Sequence, residues 1–135
     1  MKYVLDASVA LKRVLPEPLA AKARQVRDDY LNGIHELLAP DVFPAEVGHA
    51  LARAERRKLI AVGQAAPLLA NVMRTAPGLF PYLPGLASQM RCSVYDCLYI
   101  TLAEREGCAF LTADDKLVRT FQPQFAFIVS LSSIP

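Results

Sequence analysis

Short apolar runs alternate along this chain with stretches of helical period, and an acid stands at each passage from one to the other. Tyr3-Val4-Leu5 is too short for a helix and reads as a buried strand; Ser8 to Val14 then forms a short helix halted before Pro16. Pro18 suits the first position of a second helix, in which Leu19, Ala23, Val26 and Tyr30 keep helical spacing until Asn32-Gly33 ends it. The run Leu37-Leu38-Ala39-Pro40 is strand-like. A third helix starts at Pro44, with Val47, Ala50, Leu51 and Ala54 inward and Arg53, Arg56 and Arg57 largely outward, and a fourth runs from about Val62 to Arg74. Pro77-Gly78 and Pro84-Gly85 flank Leu79 to Leu83, where Pro81 allows at most an edge strand. The last third predicts a helix from Ser93 to about Arg105 stopped by Gly107, a strand Cys108 to Leu111, a helix Asp114 to Phe121 and a strand Phe125 to Leu131. Such alternation implies a parallel sheet covered on both faces.

Length narrows the picture further. The 135 residues suffice for one domain, 1–135, with no repeat, low-complexity tract or linker. An apolar fraction of 53% and a mean hydropathy of +0.25 are high for a small monomer, so a partner or a second copy is expected to cover some apolar surface. No apolar run approaches the roughly 18 residues of a membrane-spanning helix. The opening Met-Lys-Tyr-Val-Leu-Asp has an acid where a signal peptide would stay apolar, so a cytosolic protein is expected. Cys92, Cys97 and Cys108 are odd in number and lack zinc-site spacing, which predicts reduced, mostly buried thiols. The net charge of +2 does not by itself announce nucleic acid, although basic residues cluster at Lys12-Arg13 and from Arg53 to Lys58.

The candidate chemistry lies in the acids. Asp6 ends the first strand, Glu46 follows the second, Asp96 opens the Ser93 helix and Asp114 follows Ala109 to Thr112. In an open α/β sheet, ligands bind beyond the carboxyl ends of the strands, so these four can converge on one pocket. Carboxylates gathered without a Lys or Arg call for a cation, and oxygen donors suit Mg²⁺ or Mn²⁺. Each acid also has a structural explanation. Asp6 could cap the first helix, and Glu46 could be a favourable charge in the first turn of the third. Ser93 and Asp96 have capping-box spacing, but the helix is apolar nearly all round, a place where an unpaired carboxylate costs several kcal/mol. With Thr112 as cap, Asp115 would serve the helix and Asp114 the site. Glu46 and His49 match a di-iron Glu-x-x-His pair, but there is only one such pair and no four-helix pattern, so His49 is expected to hold Glu46 or a backbone group.

Four segments carry a family resemblance: Val4-Leu-Asp6-Ala-Ser8-Val-Ala-Leu-Lys12, Ala39-Pro-Asp-Val-Phe-Pro-Ala-Glu46-Val-Gly-His-Ala-Leu51, Ser93-Val-Tyr-Asp96-Cys-Leu-Tyr-Ile-Thr-Leu-Ala-Glu104 and Phe110-Leu-Thr112-Ala-Asp114-Asp-Lys-Leu117. In this order and spacing the chain resembles PIN domains, and among them the VapC-type toxins of prokaryotic toxin-antitoxin modules. The resemblance implies a three-layer α/β sandwich with a central, mainly parallel twisted sheet, and a Mg²⁺- or Mn²⁺-dependent endoribonuclease. It implies Asp6, Glu46, Asp96 and Asp114 as the metal-site acids, with Ser8 and Thr112 as supporting hydroxyls. It further implies a homodimer and a cognate antitoxin protein. Where relatives commonly carry Asn after Glu-x-x, this chain has His49.

A divalent ion in such a pocket lowers the pKa of bound water, so in-line attack on phosphorus needs neither a histidine base nor a 2′-hydroxyl nucleophile. Products with 5′-phosphate and 3′-hydroxyl ends follow. Lys12 and Arg13 just beyond Asp6, and Lys116 and Arg119 just beyond Asp114, are the candidate RNA contacts, against an equal claim as solvated helix charges. Arg53 to Lys58 reads as further away, suited to a helix C-terminus. A phosphotransfer receiver would need a Lys after its last strand, where Ser130-Leu131-Ser132 stands, and an Asp-x-Asp phosphatase is excluded by Ser8. The remaining alternatives are an RNA-processing nuclease without a toxin role and a non-catalytic RNA- or protein-binding module.

Overall fold

The computed structural model describes residues 1–81 and 94–135. Its elements are β1 (Lys2–Leu5), α1 (Ala7–Val14), α2 (Ala20–Leu31), β2 (Glu36–Pro40), α3 (Phe43–Arg56), α4 (Ala65–Met73), β3 (Gly78–Phe80), α5 (Val94–Glu106), β4 (Ala109–Thr112), α6 (Asp115–Phe121) and β5 (Ile128–Ser130), closed by a 3₁₀ turn at Leu131–Ser133. The strands form one sheet in the order β3-β2-β1-β4-β5, and every pair is parallel. Val4, Leu5, Ala39, Phe110 and Leu111 are fully buried on strands whose side chains alternate between faces, so helices cover both sides. Helix α5 lies across β1, β2 and β4, with the Tyr99 ring stacked on Phe110 at 5.6 Å.

The order places β1 at the centre. The chain builds outward through β2 and β3, then crosses back to add β4 and β5 on the other side, so the direction of winding reverses between β1 and β4. At such a reversal the loops after the two strands part and leave a crevice above the sheet. The backbone N–H of Asp6 continues the ladder to the Leu111 carbonyl at 2.9 Å, which fixes the floor of that crevice.

Several boundaries differ from expectation for local reasons. Helix α2 starts at Ala20, because Leu19 takes a left-handed conformation (φ 68°) that separates Pro18 from the helix. Gly63 at φ 86° delays α4 to Ala65 and leaves Val62 on the surface. Strand β3 lies at the sheet edge and ends before Pro81, which has no N–H to donate. Phe125 is taken up by the turn after α6, its N–H bonded to the Phe121 carbonyl, so β5 shortens to Ile128–Ser130. Cys97 is disulfide-bonded, not the reduced thiol expected, while Cys108 is free; an odd count leaves room for one bond. The Leu79 to Leu83 strand beyond Pro81, the Pro84-Gly85 turn, Cys92 and the Ser93 end of the supposed capping box lie outside the described residues.

Candidate active site

The crevice above β1 and β4 opens into a cavity of about 820 Å³ whose lining includes Asp6, Glu46, Asp96 and Asp114. Four separate stretches of chain supply these acids: the β1–α1 turn, the first turn of α3, the first turn of α5 and the start of α6. Asp6 occupies the N-cap position of α1, yet its side chain makes no capping bond. Instead its Oδ2 accepts hydrogen bonds from Ser8 Oγ and Thr112 Oγ1, both at 2.7 Å. Ser8 Oγ also accepts from the Ala113 N–H, and Thr112 Oγ1 from the Asp114 N–H, each at 3.0 Å. These bonds stitch the β1–α1 turn to the β4–α6 turn. Burial pushes the Asp6 carboxyl up to about 6; the two hydroxyls oppose the rise, and repulsion from Asp96 and Asp114 adds to it.

Glu46 sits deeper than a first-turn surface charge would. Its Oε1 is buried without a hydrogen-bond partner, and so is the hydroxyl of Tyr99, which faces it from α5. Burial raises the Glu46 carboxyl to about 7, helped by repulsion from Asp6 and Asp96 and opposed by the Tyr99 hydroxyl. The same burial and the same carboxylate hold the Tyr99 proton far more tightly than usual. Tyr99 could not be singled out from sequence: its place in an all-round apolar helix gives it the signature of a core aromatic.

Asp96 is half-buried at the pocket wall, on a helix whose next residues, Cys97 to Ile100, are nearly inaccessible. Asp114 does two things. It lines the pocket, and its Oδ1 caps α6 by accepting from the Leu117 N–H at 3.1 Å. This moves the cap from where the sequence put it, while Asp114 stays on the pocket: Thr112 belongs to β4 and spends its hydroxyl on Asp6, so α6 begins at Asp115 and Asp114 becomes the cap. Asp115 faces Ser130 Oγ at 3.4 Å instead.

The cationic candidates fare differently. Arg13 is buried against Thr75 on the far side of α1, away from the pocket, where burial lowers its guanidinium to about 10. Lys12 borders a neighbouring cavity and pairs with Glu17 at 2.9 Å. Lys116 and Arg119 are exposed and line neither cavity. Arg53, expected to lie further off, borders the acids, where its Nη2 is 3.0 Å from His49 Nε2. His49 thus holds Arg53, not Glu46 or a backbone group. Helical phase carries the signal: 46, 49, 50 and 53 share one face of α3. Tyr95, about half exposed, adds an aromatic ring to the lining.

The donor set fits a hard divalent cation. Four carboxylates face one cavity, and one buried carboxylate oxygen has no partner, although no three ligating side chains among the described residues are already drawn together into a coordination cluster.

Comparison with known proteins gives the same direction. Residues 3–121 match the model of the PIN domain. The VapC ribonuclease Mb0985 of Mycobacterium bovis is 31% identical over 126 residues, covering 90% of this chain and 92% of that protein. Ribonuclease VapC12 of Mycobacterium tuberculosis is 32% identical over 122 residues, 87% and 90% of the two chains. Among solved structures, PAE2754 from Pyrobaculum aerophilum superposes with a TM-score of 0.68 at 19% identity over 98% of this chain and 94% of its own. VapBC2 from Rickettsia felis, bound to a DNA fragment from its promoter, does so with a TM-score of 0.63 at 10% identity over 96% and 97%. Strand order, the four converging acids and these matches agree: this chain belongs to the PIN-domain family and groups with its VapC-type members.

Proposed function

We propose that this protein is a divalent-metal-dependent endoribonuclease, the toxin of a toxin-antitoxin pair. The observation that carries the reading is the convergence of Asp6, Glu46, Asp96 and Asp114 on one cavity with Asp6 anchored by two hydroxyls. The names of the relatives supply the substrate class, since they are ribonucleases. Asp6, Asp96 and Asp114 would hold Mg²⁺ or Mn²⁺, with Glu46 beside them. The ion supplies Lewis acidity toward the phosphate and makes water nucleophilic at neutral pH.

The chain's own side chains do the remaining work. Ser8 and Thr112 fix the orientation of Asp6, and because both donate to the charged form they keep it available as a ligand despite burial. Glu46, which lines the cavity beside those ligands, is suited to orient the attacking water. The Tyr99 hydroxyl, buried opposite Glu46 and keeping its proton there, is placed to donate to that carboxylate.

A hairpin RNA with an accessible single-stranded loop tests the reading. Cleavage to 5′-phosphate and 3′-hydroxyl ends in Mg²⁺ or Mn²⁺, abolished by EDTA and by Asp96→Asn, is the expected result. Undiminished cleavage in EDTA by protein free of other nucleases overturns the metal dependence. Growth arrest on induction, relieved by Asp96→Asn and by the product of an adjacent small reading frame, separates a toxin from a processing enzyme. A non-catalytic binding module would retain RNA without cutting it.

A further inference from the structure

The acidic pocket does not end at the acids. It shares Ser8, Leu11, Ala50, Arg53 and Asp114 with a second cavity of about 320 Å³, so the two form one trough between α1 and α3. Helical phase builds the α3 wall: Glu46, His49 and Arg53, with Arg57 at the C-cap, recur at intervals of three and four residues along one stripe. Arg53 lies about 10 Å along the helix axis from Glu46, and Arg57 about 6 Å further.

The cations of the trough are not equivalent. Lys12 is neutralised by Glu17. Arg53 and Arg57 form no ion pair among the described residues. Arg53 Nη2 lies 3.0 Å from His49 Nε2, so the histidine holds the guanidinium in place. A histidine, not a carboxylate, therefore steers the guanidinium and leaves it without an ion-pair partner among the described residues. Arg56, one position away, borders neither cavity.

We infer that this trough is the path of the RNA strand as it leaves the cleavage site, with phosphates flanking the scissile bond held by Arg53 and then Arg57. The inference rests on the nuclease reading above and adds to it the side and direction from which substrate is held. A phosphodiester at the acids must send its neighbouring phosphates along a connected exit, and the α3 side of this exit passes from Glu46 to Arg53 and Arg57, neither ion-paired among the described residues. Guanidinium forks meet phosphate oxygens with two parallel hydrogen bonds, so sequence-independent grip is the expected contribution.

Steady-state cleavage of the hairpin RNA in Mn²⁺ across a salt series, with anisotropy of the same fluorescein-labelled RNA in EDTA, tests the path. Arg53→Ala and Arg57→Ala should each raise KM and weaken binding about tenfold at low salt, with kcat retained, and flatten the slope of log(kcat/KM) against log[salt] by about 0.7. Arg53→Lys should restore most of the slope, and Arg56→Ala should match wild type. If all three alanine variants match an active wild type, the path is wrong while the nuclease stands; a wild type that neither binds nor cuts RNA overturns the nuclease reading itself. Unchanged RNA kinetics with lost inhibition by the adjacent reading frame's product would assign the trough to a polypeptide and overturn the RNA path.

Discussion

Asp114 shows how one side chain serves stability and chemistry at once, and how the two can be separated. Its Oδ1 caps α6 while the carboxylate faces the pocket. Asparagine also caps, so Asp114→Asn should leave the melting temperature nearly unchanged and lower cleavage at least about a hundredfold, whereas Asp114→Ala should in addition lose about 1 kcal/mol. Asp115→Asn, at a side chain that accepts from Ser130 Oγ and does not line the pocket, should alter neither; a loss of activity there equal to that of Asp114→Asn would show that the pocket is drawn wrongly. Tyr99→Phe keeps the ring stacked on Phe110 and removes the hydroxyl facing Glu46. It should reduce kcat about tenfold with KM and fold retained, as expected for a group that positions another; an unchanged kcat would reduce Tyr99 to a core residue. The convergence of the acids was legible in the sequence because Asp6, Glu46 and Asp114 each follow a strand and Asp96 opens a helix that is apolar nearly all round. Tyr99, Arg53 and the cap on α6 were not, since a core ring, a helix-end charge and a cap shifted by two residues are told apart only by what faces them in three dimensions.

Elements rather than single residues set the response to pH. Asp6 and Glu46 come from β1 and α3, and both carboxyls are raised, to about 6 and about 7 from ordinary values of 3.8 and 4.5. Between the unfolded and folded values the folded state binds more protons, so these groups lower stability as pH rises through about 4 to 7, and the penalty persists above. Metal-free Glu46→Gln should therefore gain in melting temperature relative to wild type between about pH 5 and pH 8. A gap that stays constant over that range would mean that Glu46 carries no such burden. Excess Mn²⁺ should reverse the order, because an ion bound only by the folded state stabilises it by about 2.7 kcal/mol at a hundredfold excess over Kd. Helix and strand types were readable from period alone. Their ends were not: Leu19 at φ 68° and the Phe125 turn follow from backbone conformations that hydrophobic pattern does not encode.

Considered as one body, the molecule places β3 at one end of the sheet formed by the described residues and several exposed apolar side chains on its surface, Leu31, Ile34, Leu59 and Val62 among them. A dimer in solution, as the apolar composition suggested, should show twice the mass of 14.8 kDa by light scattering at micromolar concentration; a single-chain mass would reject it. No helix among the described residues is long and apolar enough to cross a membrane. The parallel sheet was foreseeable from alternation, but the order β3-β2-β1-β4-β5 was not, because apolar runs do not say which strands are neighbours.

The bond between Asp6 and Thr112 joins positions 106 apart in the chain. On a ribosome, the first strand emerges long before the strand that must lie beside it, and such distant closure comes late in folding. Until β4 inserts next to β1, Asp6 has neither Thr112 nor the neighbourhood of Asp114. The anchored Asp6 in the floor of the cavity is therefore a product of long-range closure: no fragment lacking β4 can assemble it.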